Sequence, residues 1–451
     1  KQLPSTKRKL TALYDPATPH ANPTSDPERM LEIISASLRT KWALPSNGKT
    51  PAEIAAYLGE PLFPLADTAP PTLGEVQDAI INANESSPGP DGIPNLAYQR
   101  AYETATPVMH GLLKWMGEGH PAPPDFNAAL LYPIPKDDSM RDEATRPIGV
   151  KGSGPRIMAK VSVTKVISLL QERLHEAQRG CVPGRSHHAS LRALSDRFQQ
   201  ALLDGDDHYI LSIDFKAAFD SVDHHFLRAV LVYHGFPTWF VNIAQELLRN
   251  ATATPVIGGR RGIDPLAILR GVIQGCAVSV VLFLLVMNVF ITRIMDPAQA
   301  TPALGLQAYM DDVAADTPSK EEFLPLMQAA DEFCHFSAMT VHPTKTCVVA
   351  TRPTPGLRRL IRRSPWPTMA TPTYFKCLGL LVGKVNRLQI FTDCFQRYYS
   401  RLRDYSPVLK SLPPRHRPLF YNTFIFPLLT YHLSFYSPTY QTYPNKSPIT
   451  I

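Results

Sequence analysis

Apolar positions recur at helical spacing over roughly 156–178 and 188–203, which predicts two long helices. The period then changes. "HYILSIDF" (208–215) is a compact apolar run ending in an acid, and it predicts a strand entering a core. "DHHFLRAVLVYHG" returns to a helical pattern, with Gly235 as its stop. "AVSVVLFLLVMNVFIT" (277–292) is uncharged but shorter than the ~20 residues a membrane span needs. Ser279 and Asn288 interrupt it, so the pattern predicts a helix buried on all sides. "LGLQAYMDDVAAD" (304–316) reads as two strands around an acidic turn, followed by a helix near 319–338 and short strands at 345–350 and 374–381.

Upstream, "AALLYPIPK" (128–136) predicts a strand broken by prolines and "RPIGV" (146–150) a short returning strand. "TLGE" (72–75) is a capping box opening the helix "LGEVQDAIINA", which the loop "NESSPGPDGIP" ends. Residues 1–71 predict a loop-rich extension with one or two helices around Arg29–Trp42. Helices packed on an antiparallel sheet, without a regular β-α-β repeat, place the chain in the α+β class.

At 451 residues the chain predicts two or three subdomains, and 44% hydrophobic against 19% charged residues describes a globular protein. Its first residue is Lys1, which predicts a piece of a longer polyprotein, and the basic opening "KQLPSTKRKL" is no secretory signal. Charge is unevenly spread. From residue 351 onward there are 15 Lys and Arg against 2 Asp and Glu, whereas the first 350 residues hold 31 against 37. Such a tail suits a polyanion, and "DCFQRYYSRLRDY" (393–405) interleaves arginine with aromatic rings suited to stacking. Six cysteines without a C-x-x-C pair predict free thiols in a reducing, intracellular compartment. The pairs His187–His188 and His224–His225 lack partners at zinc spacing and predict surface or capping roles.

Asp214 ends one core-type strand, while Asp311 and Asp312 sit between two others. Alone, Asp214 reads equally as a helix cap or loop residue. Brought together on adjacent antiparallel strands, the three carboxylates repel unless cations neutralise them. Oxygen-only ligands select hard cations, which predicts Mg²⁺, with Mn²⁺ as a substitute. Two such ions about 3.5–4 Å apart are the arrangement polymerases use for in-line phosphoryl displacement.

"SSPGPDGIP", "IPK…RPIGV", "SIDFKAAFDSV", "GVIQGCAVSVVLF", "AYMDD", "TVHPTKT" and "FKCLGLLVG" occur in the order and approximate spacing of reverse transcriptases. The first two resemble the non-LTR, LINE-type retrotransposon branch in particular, and the resemblance covers roughly residues 72–435. It implies a right-hand polymerase of fingers, palm and thumb, with an antiparallel palm sheet packed on helices. Its divisions would be an N-terminal extension (1–71), fingers with part of the palm (72–206), the palm with active site and primer-grip hairpin (207–385) and a basic, truncated thumb (386–451). Asp214 and Asp311 would be the principal metal ligands, with Asp312 beside them and the Phe215 carbonyl adding an oxygen.

Phe219 matches the aromatic that excludes a 2′-hydroxyl; a core aromatic is the other reading, and both can hold at once. Arg146 matches the cation on the incoming dNTP triphosphate, and Lys136 either joins it or is an ordinary surface lysine; Gln274–Gly275 match the Gln-Gly that supports the nucleotide. Lys345 matches a general acid for the leaving pyrophosphate; an ordinary charge at a strand end is its other reading. Phe375, Leu378 and Gly379 would belong to the primer grip, and Arg397, Arg401 and Arg403 to a thumb on the RNA–DNA hybrid of template and primer. No membrane partner is implied, and the family's life cycle implies access to the nucleus or a cytoplasmic ribonucleoprotein. Two departures stand out: Ala277-Val278-Ser279-Val280 replaces the usual Pro-Leu-Ser-Pro, and Lys216 lies two rather than three residues after Asp214. An intron- or retron-type enzyme and a decayed or domesticated RNA-binding copy are the competing readings.

Overall fold

The computed structural model describes residues 10–18, 22–42, 48–295 and 304–436. The ends of the predicted extension and thumb (1–9 and 437–451) lie outside the described residues. In chain order come α1 (Pro27–Trp42), α2 (Pro51–Leu58), α3 (Leu73–Ile81), α4 (Asn95–Arg100), α5 (Tyr102–Gly117), β1 (Ala128–Pro135), β2 (Thr145–Lys151), α6 (Ser153–Arg173) and α7 (His187–Asp204). The middle holds β3 (Tyr209–Ile213), α8 (Ala218–Ser221), α9 (His224–Tyr233), α10 (Thr238–Glu246), β4 (Thr252–Ile257), β5 (Arg260–Arg261), β6 (Leu266–Ala267) and α11 (Ala277–Ile294). Then follow β7 (Gly305–Tyr309), β8 (Asp312–Thr317), α12 (Phe323–Ser337), β9 (Cys347–Ala350), α13 (Pro355–Arg363), β10 (Tyr374–Cys377), β11 (Leu380–Gly383), α14 (Arg387–Ser411), α15 (Arg417–Phe424) and α16 (Pro427–Phe435).

The acid-bearing strands form a four-stranded antiparallel sheet in the order β7-β8-β3-β9. Both of its faces are covered, as strand alternation requires. Leu211, Ile213, Val313 and Val348 join the main core with α9, α11 and α12, while Ile210, Ala314 and Val349 face α7 and the β10–β11 hairpin. α11 is long and apolar enough to cross a membrane, yet it runs through this core. Its polar interruption is satisfied there: the Asn288 side-chain oxygen accepts from His175 N (2.7 Å), and its amide donates to the Arg173 carbonyl (3.1 Å).

A second sheet, β2-β1-β4-β5 with β6 on β4, is mixed, because β1 and β4 run parallel. Prolines do not break β1. Pro133 lies opposite Pro147, and β4 leaves off at Leu131, so the missing N–H groups interrupt little of the ladder. α1 lays Met30, Leu31, Ile34, Leu38 and Trp42 on this sheet as a separate core. The described part of the extension thus holds two helices, α1 and α2, the second capped by a Thr50–Glu53 box.

The tail helices α14 and α15 pack on each other through Tyr405, Phe420 and Ile425, and α16 docks on the hairpin. All six cysteines are free, four of them buried.

Candidate active site

β3 and β8 set the carboxylates side by side. Ile213 lies opposite Val313, so Asp214, the next residue, runs alongside Asp312. Asp214 is fixed through its backbone: its N–H donates to Thr346 Oγ1 (3.1 Å), and its carbonyl accepts from His342 N (2.7 Å). Between β7 and β8 the chain reverses at Met310, whose φ of +57° is a conformation that few side chains adopt.

What holds that turn is Gln178, a residue the sequence reading passed over. Its side-chain oxygen accepts from Met310 N (3.0 Å) and Gly180 N (2.9 Å), while its amide donates to the Met310 carbonyl (3.3 Å). Gln178 is fully buried, and a Cβ at Gly180 would meet Met310 N at 2.5 Å.

Electrostatics separate the acids. Burial raises the pKa of Asp311, and Asp214 adds to the rise. Asp312 stays open to water at the cleft mouth, yet protein crowding, then Asp311 and Asp214, push it up to about 6. Among the described residues no three His, Cys, Asp or Glu side chains lie close enough to enclose a metal ion by themselves. A cation here would rest on Asp214, Asp311, the Phe215 carbonyl, water and substrate oxygens, which is how Mg²⁺ is commonly held. The mutual repulsion of the acids fits that demand.

Arg146 and Lys136 project from the paired ends of β2 and β1, where Lys136 N donates to the Ala144 carbonyl (2.7 Å). Both charges act on Asp311. Crowding, then Lys41, lowers the pKa of Lys136, with Arg146 and Lys345 adding to the effect and Asp220 opposing it. Lys345 itself is exposed, in the turn whose His342 holds Asp214.

Gln274 pairs with Ile148 of β2, and its carbonyl accepts from Gly149 N (2.8 Å). Gly275 has its own local reason: at φ +118°, a Cβ would meet the Gly149 carbonyl at 2.6 Å. Phe215 is buried against Phe290 and Phe333. Phe219 stacks on Phe283 of α11 at 4.1 Å, half-buried, so the core reading of that ring holds. α11 starts directly at Ala277 without a side-chain cap, fastened by the buried Val278 and Ser279. Lys216 is exposed, and its N–H donates to the Thr340 carbonyl (2.7 Å).

The hairpin turns through Leu378 (φ +49°) and Gly379 (φ +87°), both left-handed as a two-residue hairpin loop requires. Phe375 is buried beneath it. Tyr431 of α16 donates its hydroxyl to the Leu378 carbonyl (2.6 Å) and meets His187 Nε2 (3.2 Å). His187 in turn lies edge-on to Tyr309 (5.1 Å), so this pair serves packing rather than the surface. His224 Nε2 contacts the Gly271 carbonyl (2.8 Å), also within the fold. On α14, Arg397 and Arg401 are one turn apart and share a face, whereas Arg403 falls on another.

Residues 134–382 match the family "Reverse transcriptase (RNA-dependent DNA polymerase)". The chain belongs to that family. It is 30% identical over 252 residues to "Transposon TX1 uncharacterized 149 kDa protein" of Xenopus laevis, covering 54% of this chain and 19% of that protein. It is 27% identical over 236 residues to "Retrovirus-related Pol polyprotein from type-1 retrotransposable element R2" of Popillia japonica, covering 51% and 31%. A third relative, "Retrovirus-related Pol polyprotein from type-2 retrotransposable element R2DM" of Drosophila melanogaster, is 30% identical over 212 residues, covering 45% and 19%. The chain thus spans no more than about a third of these relatives' length. Their names agree with the LINE-type branch that the motifs of this reverse transcriptase resemble.

Proposed function

We propose that this chain is the RNA-directed DNA polymerase of a LINE-type retrotransposon, adding dNTPs to a primer 3′ end on an RNA template. The observation that carries the reading is the pairing of Asp214, just past β3, and Asp311, in the β7–β8 turn, with the cations Lys136 and Arg146 that act on Asp311. The β7-β8-β3-β9 sheet and its helices would be the palm, the β1–β2 sheet part of the fingers, and α14–α16 the thumb, close to the divisions at 72, 207 and 386.

Two divalent cations, Mg²⁺ or in its place Mn²⁺, would supply acidification of the primer 3′-hydroxyl and neutralisation of the triphosphate. Asp214, Asp311 and the Phe215 carbonyl would hold them, with Asp312 adding negative potential at the mouth. Arg146 grips phosphate oxygens in fork geometry, and Lys136 adds a point charge. Gln274 supports the nucleotide, and Phe219, at the rim of the aromatic core, bars a 2′-hydroxyl. Lys345 delivers a proton to the departing pyrophosphate. The hairpin at Leu378–Gly379, propped by Tyr431, positions the primer end. Arg397 and Arg401 hold the hybrid through its backbone, a contact that reads shape more than sequence.

Primer extension on an RNA template with Mg²⁺ and dNTPs tests the reading. Template-directed products are expected; a protein that binds the hybrid and never extends it would refute the assignment.

A further inference from the structure

The family match begins at residue 134, yet α1, far upstream, packs on the sheet that carries Lys136 and Arg146. Its apolar face lies on the β1–β4 sheet, whose β1–β2 ends carry Lys136 and Arg146. The segment before it is fastened to the same hairpin: Tyr14 N donates to the Met140 carbonyl (2.9 Å), and Arg29 Nε donates to Asp15 (2.8 Å). At its far end, Arg270 Nε donates to the Lys41 carbonyl (2.6 Å). That fixes the last turn of α1 beside α8, which carries Asp220.

Asp220 is 6% exposed. Its backbone is clamped by residues 271–272, where Gly271 N donates to the Val222 carbonyl (2.7 Å) and Val272 N to the Phe219 carbonyl (2.7 Å). A Cβ on Gly271 would meet the Asp220 backbone at 2.4 Å, so the two segments touch. Three cations act on the buried carboxyl: Lys41, Lys136 and Arg270. Lys136 in turn feels Lys41, Arg146 and Lys345. Lys41, Lys136 and Arg270 thus gather around Asp220, and Lys136 joins them to Arg146, with which it acts on Asp311. Such a cluster repels itself in the free protein and is relieved by a compact polyanion. The triphosphate of a dNTP has that charge and size.

We propose that Lys41 is a triphosphate-binding residue of the polymerase site, its backbone held by Arg270, so that the segment preceding the family-matched region completes the nucleotide pocket. This rests on the reading of Lys136 and Arg146 as triphosphate-binding groups. Lys41 lies outside the buried stripe of α1, where Leu38 and Trp42 make the core contacts, so it can be changed without unseating the helix.

The test is equilibrium binding of dTTP, with Mg²⁺, to the full chain on an RNA template whose primer ends in a dideoxynucleotide. Lys41→Gln is expected to raise the dTTP Kd about tenfold, the scale of one charge-assisted hydrogen bond. Lys41→Arg should restore most of the loss, and the Kd for the hybrid should stay unchanged. An unchanged dTTP Kd overturns the inference. A raised hybrid Kd with dTTP binding intact also overturns it, placing Lys41 on the nucleic-acid backbone instead. Failure of the parent complex to bind dTTP at all, together with failure to extend a normal primer, would sink the polymerase reading itself.

Discussion

Asp220 makes a prediction about pH that belongs to one residue. Burial outweighs its three cationic neighbours and leaves its carboxyl at about 6, above the ordinary value of 3.8. A carboxyl whose folded value exceeds its unfolded one favours the fold fully at low pH, and that contribution is lost as pH rises through about 6. Asp220→Asn removes this dependence. Relative to the parent, the variant should gain about 1 kcal/mol between pH 5 and pH 7, of about 3 kcal/mol over the whole titration. Chemical denaturation at both pH values measures it; a pH-independent difference would mean that Asp220 does not titrate on folding. The carboxylates of the site were legible as residues because acids flanked by apolar strands are anomalous in any sequence. Gln178 was not, because its role depends on a turn more than 130 positions away and nothing local marks it.

Elements defined by local rules were readable in the same way. Thr72 and Glu75 cap α3 as the box predicts, and Gly235, at φ +63°, stops the helix before it. The burial of α11 followed from its length and its two polar interruptions. Parallel pairing of β1 with β4 was not readable, because more than a hundred residues separate them and periodicity carries no partner. The docking of α16 on the β10–β11 hairpin was hidden for the same reason, and it yields a prediction of its own. Tyr431→Phe removes the hydroxyl from the Leu378 carbonyl, in a turn where leucine already sits at positive φ. The loss should cost about 1 kcal/mol of stability. It should shorten the extension products from a limiting amount of enzyme while leaving the KM for dNTP unchanged. A shifted KM with normal product length would place the hairpin's influence on the nucleotide instead.

Over the whole molecule, charge divides more sharply than structure. Of the 15 basic residues against 2 acidic after position 350, Arg358, Arg359, Arg362 and Arg363 stand exposed on α13, and others continue along α14. Affinity for an RNA–DNA hybrid should therefore fall steeply with salt, and Arg397→Gln should reduce the slope of log K against log salt by about 1. A flat salt dependence would refute an electrostatic grip by this half of the chain.

The central claim is that Asp214 and Asp311 together hold the cations on which synthesis depends. Single-nucleotide incorporation on an RNA template with Mg²⁺, comparing the parent with Asp311→Asn at equal hybrid occupancy, addresses it most directly. The account predicts at least about a thousandfold slower incorporation with the hybrid Kd unchanged, the scale of removing a group that stabilises the transition state. Incorporation within about tenfold of the parent would contradict it.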